Sequence, residues 1–122
     1  MELEYFFDTY ALFELVHGNK NYEPYMNSPI KTTRLNLMEL HYRLLSLYGE
    51  KVAEKSFNFF LPFTENFNDE DIKQANKMKL KFKKQRLSYV DCLSYIMSLR
   101  LGLKFLTGDK EFEYFGEVEF VK

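Results

Sequence analysis

Short apolar-aromatic runs alternate with helix-periodic stretches along this chain, and that alternation restricts its fold more than any other feature. Two strands joined through a helix lie parallel, because the crossover returns the chain to the same end of the sheet. Residues 3–7 (LEYFF) form the first run and read as a buried strand, stopped by Asp8. Residues 9–18 follow with a helical pattern, opened by Asp8 and closed by Gly18. Residues 19–29 read as a short helix between loops. Residues 30–48 form the clearest helix, where Leu37, Leu40, Leu44 and Leu47 recur at helical spacing, as do Met38, Tyr42 and Leu45. Gly49 ends it, and residues 51–56 read as a further short helix. Residues 58–63 (NFFLPF) read as a second buried strand, and the acidic turn 66–71 opens a lysine-rich helix to about Lys84. Residues 89–101 form another helix closed by Gly102, residues 103–106 (LKFL) a third strand, and residues 117–121 (EVEFV) a last one. The pattern predicts one domain over residues 1–122. Its fold class is α/β: a three-layer α/β/α arrangement around a short central parallel sheet of about four strands.

Composition narrows the class further. A chain of 122 residues, 46% of them hydrophobic, can bury a core without covalent staples, and its thirteen Phe and nine Tyr must supply much of that core. Lys plus Arg is 17 against 18 Asp plus Glu, so the net charge of -1 neither announces a nucleic-acid binder nor excludes one, since local patches matter more than the sum. Cys92 is the only cysteine, which rules out an intrachain disulfide and fits a reducing compartment. The opening MELEYFFDTY lacks the basic and apolar regions of a leader, and no apolar run approaches the roughly 20 residues of a membrane span. A cytoplasmic protein without a membrane partner is the expectation.

In open α/β sheets, sites form beyond the carboxyl ends of the strands. Asp8 follows the first strand directly, and Asp109 follows the LKFL strand by three residues. Asp91, in the first turn of its helix, and Glu39, inside the long one, can reach the same edge. Carboxylates a few ångströms apart repel and raise one another's pKa, a penalty that a hard divalent cation removes. Magnesium takes oxygen ligands and keeps several waters, so a few carboxylates suffice to hold it, and it can polarise a phosphoryl oxygen and activate water. Acids without His or Cys partners therefore point to phosphodiester hydrolysis. Each also has a purely structural reading. Asp8 can cap the helix at Thr9, Asp91 completes the capping-box spacing Ser88-x-x-Asp91, Glu39 can pair with Arg43, and Asp109 can cap a short turn after Gly108. The functional reading rests on the four together.

Three segments carry a family resemblance. FFDTYAL resembles the opening of PIN domains, where a strand ends in Asp followed by Thr or Ser. IKTTRLNLMELHYRLL resembles the family's second segment, with an acid inside a helix after a Thr-containing turn. LSYVDCLSYIMSLRLGLKFLTGDKEFE resembles the third and fourth, where a helix carries the third acid and a strand runs into an LTxDxxF turn with the last. The resemblance implies that Asp8, Glu39, Asp91 and Asp109 are catalytic, that Asp8, Asp91 and Asp109 hold Mg2+ or Mn2+, and that Thr9, Thr107 and Glu111 support them. It implies metal-dependent endoribonuclease activity. Many small members resemble VapC, the toxin of VapBC-type toxin–antitoxin pairs, which implies an RNA substrate, a small antitoxin protein and a homodimer. Cys92 stands where the family often has a small residue such as Ala.

The remaining features have weaker claims. Lys73 to Arg86 is the one dense basic run. Lys77, Lys81, Lys84 and Arg86 could follow an RNA backbone, with Phe82 and Tyr89 stacking on bases, although lysine runs also mark solvated helix faces. His17 and His41 belong to no metal-spacing motif, and Cys92 has no histidine partner of the nucleophilic kind. Tyr10, Tyr22 and Tyr25 are candidates for an exposed interface. The alternative to a nuclease is a non-catalytic module that keeps the fold to bind RNA or protein, against which stand the four intact acids. A phosphate-accepting receiver domain shares the alternation but needs paired acids after the first strand, where Asp8 stands alone.

Overall fold

Parallel strands bury both faces, so residues alternate between two cores rather than between core and solvent. In the computed structural model, which describes residues 3–122, β1 (Tyr5–Phe7) shows this directly, with all three residues buried. Tyr5 and Phe7 join a core with α1 (Thr9–His17), α2 (Arg34–Tyr48) and α3 (Glu50–Phe60). Phe6 faces the other way, into a core with α4 (Asp69–Lys81) and α5 (Tyr89–Arg100). β3 (Lys104–Thr107) alternates likewise, Leu106 entering the first core and Phe105 the second. With β2 (Ile30–Lys31) and β4 (Val118–Phe120), these strands form a sheet of order β2-β1-β3-β4, every pairing parallel. The fold is the expected three-layer α/β/α arrangement around four short parallel strands.

Two of the expected elements differ. NFFLPF is not a strand. Its first half completes α3 and residues 61–63 form a 3-10 turn. The buried positions of α3, Ala53, Ser56 and Phe60, recur at steps of three and four, which is a helix face, while Phe59 lies on the far side, 61% exposed. The apolar run hid that period because both helix faces are aromatic there. The second strand is instead β2, where the sequence suggests the start of a helix. Ile30 and Lys31 pair with Tyr5 and Phe6, and α2 begins only after Thr33, whose hydroxyl accepts the Asn36 N–H. The β-branched run before that cap favours extended chain.

The tyrosines considered for an interface are likewise structural. Tyr22 is fully buried, its hydroxyl donating to the Val121 carbonyl at 2.6 Å, and Tyr25 donates to Glu119 at the same distance. Tyr10 packs against the first core. A buried phenol must find a hydrogen-bond partner, and here that requirement fastens the 3-10 segment Lys20–Tyr25 to the chain's last strand.

On the opposite face Asp71 organises the entry to α4. Its carboxylate accepts from the Asn68 N–H in a capping box and from Arg100 Nε and Nη2 of α5 at 2.8 and 2.9 Å. Burial would raise the Asp71 pKa, but the Arg100 hydrogen bonds and the Asn68 N–H outweigh it and hold the carboxyl below its usual range. Arg100→Ala should lower stability by about 1–3 kcal/mol near neutral pH, since a nearly buried carboxylate loses its charged partner while the guanidinium itself stays partly solvated. A folded pKa below the unfolded one stabilises above the unfolded value and is lost as pH falls through the folded one. Denaturant melts should therefore show wild type and variant converging as pH falls below the usual carboxylate range.

Candidate active site

The carboxyl ends of β1 and β3 lie side by side, and Asp8 sits at the first of them, 5% exposed. Its backbone N–H donates to the Leu106 carbonyl, continuing the ladder, while its Oδ1 accepts from Ala11 N–H at 2.9 Å and caps α1. The Thr32 hydroxyl donates to the Phe7 carbonyl at 2.8 Å, tying the chain that leads into α2 to the end of β1. β3 ends in the buried Thr107, whose hydroxyl accepts the Asp109 N–H and also faces the Asp8 carboxylate. Between them Gly108 has no room for a side chain: a Cβ there would meet the Tyr10 ring and the Val121 carbonyl. The turn that presents Asp109 thus needs glycine for a close approach of backbone to ring.

The four acids come near enough at this edge to feel one another's charge, Asp8 with Asp91 and Asp109, and Asp91 with Asp109 and Glu39. Burial raises the Asp8 carboxyl from 3.8 to about 7; the Thr107 hydroxyl and Ala11 N–H oppose the rise, and the charges of Asp91 and Asp109 add to it. Burial raises Asp91 as well, opposed by hydrogen bonds from Ser88 and reinforced by Asp109 and Glu39. Thr9 donates to Glu39 Oε1 at 2.7 Å, which brings the α2 acid to the start of α1. The structural readings of the three aspartates also hold, whereas Arg43 lies over the Phe13 ring and forms no ion pair with Glu39 among the described residues. Asp91 accepts from Ser88 N–H in a capping box, and Asp109 Oδ1 accepts from Glu111 N–H to cap the turn Lys110–Phe112. Among the described residues no three His, Cys, Asp or Glu side chains close on a single point. Each cap engages one oxygen of its carboxylate, Oδ1 of Asp8, Oδ2 of Asp91 and Oδ1 of Asp109.

The donor chemistry nonetheless fits a hard cation. All the converging groups are oxygens, the Cys92 thiol is buried in the second core, and neither histidine lies here: His17 stacks on Phe13, and His41 meets Phe57 edge-on. A buried carboxylate whose pKa is raised in part by two neighbouring acids is an arrangement that a divalent cation would relieve.

One residue here carried no chemical signal in the sequence. Asn36, 1% exposed, joins the site's supports. Its Oδ1 accepts from the Thr33 and Ser94 hydroxyls at 2.6 and 3.0 Å, and its Nδ2 donates to Thr9 Oγ1 at 3.2 Å. Thr9 passes the chain of bonds to Glu39. The available hint was spacing, since an Asn three residues before Glu39 shares its helix face. Glu111, expected to support the acids, donates its backbone N–H to Asp109 Oδ1 at 3.0 Å, and its Oε1 accepts from the Arg86 N–H at 2.9 Å, which fastens the loop after α4 to the Asp109 turn. Lys84 and Arg86 are exposed on that loop, and Lys77 and Lys81 are exposed on α4. An open groove of about 800 Å³ runs from Thr9 and Glu39 along α2, past the exposed Met38, Tyr42 and Leu47.

Comparison with known proteins bears on the fold and the family. No curated protein matches the sequence. Among solved structures, VapC20 of Mycobacterium tuberculosis, a toxin that cleaves the sarcin–ricin loop, superposes with a TM-score of 0.81 at 20% identity, covering 98% of this chain and 100% of its own. A toxin–antitoxin complex from Klebsiella pneumoniae gives 0.75 at 16% identity, over 95% and 96% of the two chains. VapBC2 from Rickettsia felis, bound to a promoter DNA fragment, gives 0.73 at 14%, over 98% and 100%. At such identities the likeness shows the fold alone. The PIN domain model matches residues 5–118, from the first strand into the last, and on that match the chain belongs to the PIN domain family.

Proposed function

We propose that this chain, acting as a single domain over residues 1–122, is a metal-dependent endoribonuclease and the toxin of a VapBC-type pair. The observation that carries the reading is the buried Asp8, its pKa raised to about 7 at a sheet edge that Asp91, Asp109 and Glu39 also reach. Membership of the PIN family and the fold shared with VapC toxins support it. Asp8, Asp91 and Asp109 would hold Mg2+ or Mn2+, which when bound supplies polarisation of a phosphoryl oxygen and a nucleophilic water at neutral pH. Glu39, held by Thr9 and through it by Asn36, would orient that water. The Thr107 hydroxyl fixes the Asp109 turn, and Lys77, Lys81, Lys84 and Arg86 would meet RNA phosphates. A small antitoxin and a second copy of the chain complete the proposal. The apolar side chains along the α2 groove give a partner segment a surface that ends at Glu39.

Melting in chelator and in manganese tests the site before any RNA substrate is known. Saturating manganese should raise wild-type stability by about 2.7 kcal/mol at a hundredfold excess over Kd, and Asp8→Asn should lose most of that rise. In chelator the sign reverses. A carboxyl with its folded pKa near 7 and its unfolded one near 4 destabilises the fold increasingly as pH rises between them. Asp8→Asn should therefore melt above wild type at pH 7 and higher, and match it near pH 4. Equal or lower melting of Asp8→Asn throughout would remove the site assignment.

Cleavage assays on single-stranded RNA with manganese should show Asp8→Asn, Asp91→Asn and Asp109→Asn each losing about a hundredfold or more in kcat. Asn36→Ala should lower kcat with little change in KM, because it releases the support of Glu39 without touching substrate. Cleavage that survives all three acid substitutions would overturn the site assignment, and absence of cleavage by wild type would leave the binding-module reading in its place.

A further inference from the structure

We infer that a groove leading away from the Asp109 turn is a binding track for unpaired RNA, with Tyr114 as its base-stacking residue. The inference rests on the nuclease reading and adds where the substrate lies. The turn capped by Asp109 runs straight into a groove of about 570 Å³ lined by Gln85, Lys110, Glu111 and Tyr114. Phe82 and Phe115 form its far wall, their ring centroids 5.0 Å apart, and they also line a second groove of about 330 Å³ with Lys77 and Lys81. The two depressions adjoin across that aromatic pair. They lead from the residue next to a catalytic acid to the lysines of α4.

The chemistry along this route suits a single strand. Tyr114 is 92% exposed and, among the described residues, pairs with no other aromatic ring, so its ring can stack on a base. A base offers a π-face whatever its identity, so such a contact tolerates any sequence. Lys110 lines the first groove, and Lys83, Lys84 and Arg86 are exposed on the loop that carries Gln85; none of the four forms an ion pair among the described residues, in contrast to Lys31 and Lys104, which do. Glu111 is the one acid in either lining, and its Oε1 accepts from the Arg86 N–H, which holds the basic loop against the catalytic turn. The Gln85 amide, on the same loop, carries both a donor and an acceptor for a base edge. A duplex buries its base faces and would not use Tyr114.

Binding of a labelled single-stranded oligoribonucleotide, measured by anisotropy with manganese in an Asp8→Asn background to stop turnover, tests the track. Tyr114→Ala should weaken binding about 10- to 100-fold, while Tyr114→Phe, which keeps the ring, should stay within about twofold of its parent. Lys77→Glu with Lys81→Glu should weaken binding and flatten its dependence on salt. A blunt duplex of the same sequence should bind alike with and without Tyr114. At 92% exposure the substitution removes no packing, and unchanged melting would verify that. Tyr114→Ala binding as tightly as its parent, or Tyr114→Phe as weakly as Tyr114→Ala, would overturn the track. If wild type still cleaves RNA with manganese in that case, the nuclease reading stands alone. Absence of both binding and cleavage in wild type would remove both.

Discussion

Asp8 is a carboxylate buried at the end of a central strand, and the architecture follows from making that tolerable. A charged group in such a place costs several kcal/mol unless hydrogen bonds or counter-charge offset it. The Ala11 N–H at the start of α1 and the Thr107 hydroxyl supply part of the compensation, and the carboxyl still titrates near 7. Both supports demand that β1 and β3 end at the same level, which their parallel register ensures by setting Phe7 beside Leu106. Parallel pairing in turn demands helices on both faces, and the two cores divide the strand residues between them.

Helix caps and candidate ligands are the same side chains here. Asp8, Asp91 and Asp109 each accept backbone N–H groups at the start of a helix or turn. Capping uses one oxygen of a carboxylate and fixes its direction, which leaves the group oriented without consuming all its lone pairs. The structural and chemical readings of these acids are therefore not rivals. Glu39 differs, since it lies within a helix and needs side-chain support. The bonds from Ser94 and Thr33 through Asn36 and Thr9 provide it from three different elements, and this explains a fully buried asparagine beneath the site.

Much of this was legible from local pattern. The strand ending at Asp8, the capping box at Ser88 and the strand leading to Asp109 depend on neighbours in sequence, and each falls within a residue or two of its expected place, while the leucine spacing of α2 found its buried face at Leu37, Leu40 and Leu44 but not its start. The errors fell where local signals were ambiguous. NFFLPF is aromatic on both sides of α3, so its period disappeared, and the two-residue strand β2 is too short to show a period at all. Tyr22 looked suited to an interface because phenols favour surfaces, but its hydroxyl found a carbonyl 99 residues away, which no window of sequence reveals.

The sequence by itself determined the alternation of elements, and with it a parallel three-layer fold and the placing of acids at strand and helix ends, because hydrophobic period and cap chemistry act over a few residues. Tertiary structure decided what those acids share. Asp8, Asp91 and Asp109 are separated by 83 and 18 positions, and their mutual influence on pKa arises only because β1 and β3 pair and α5 packs behind them. The pinning of Glu111 to the loop after α4, the buried hub at Asn36 and the freedom of the Tyr114 ring belong to the same class. Each depends on distances across the fold, and electrostatic and hydrogen-bond energies are set by those distances rather than by order along the chain.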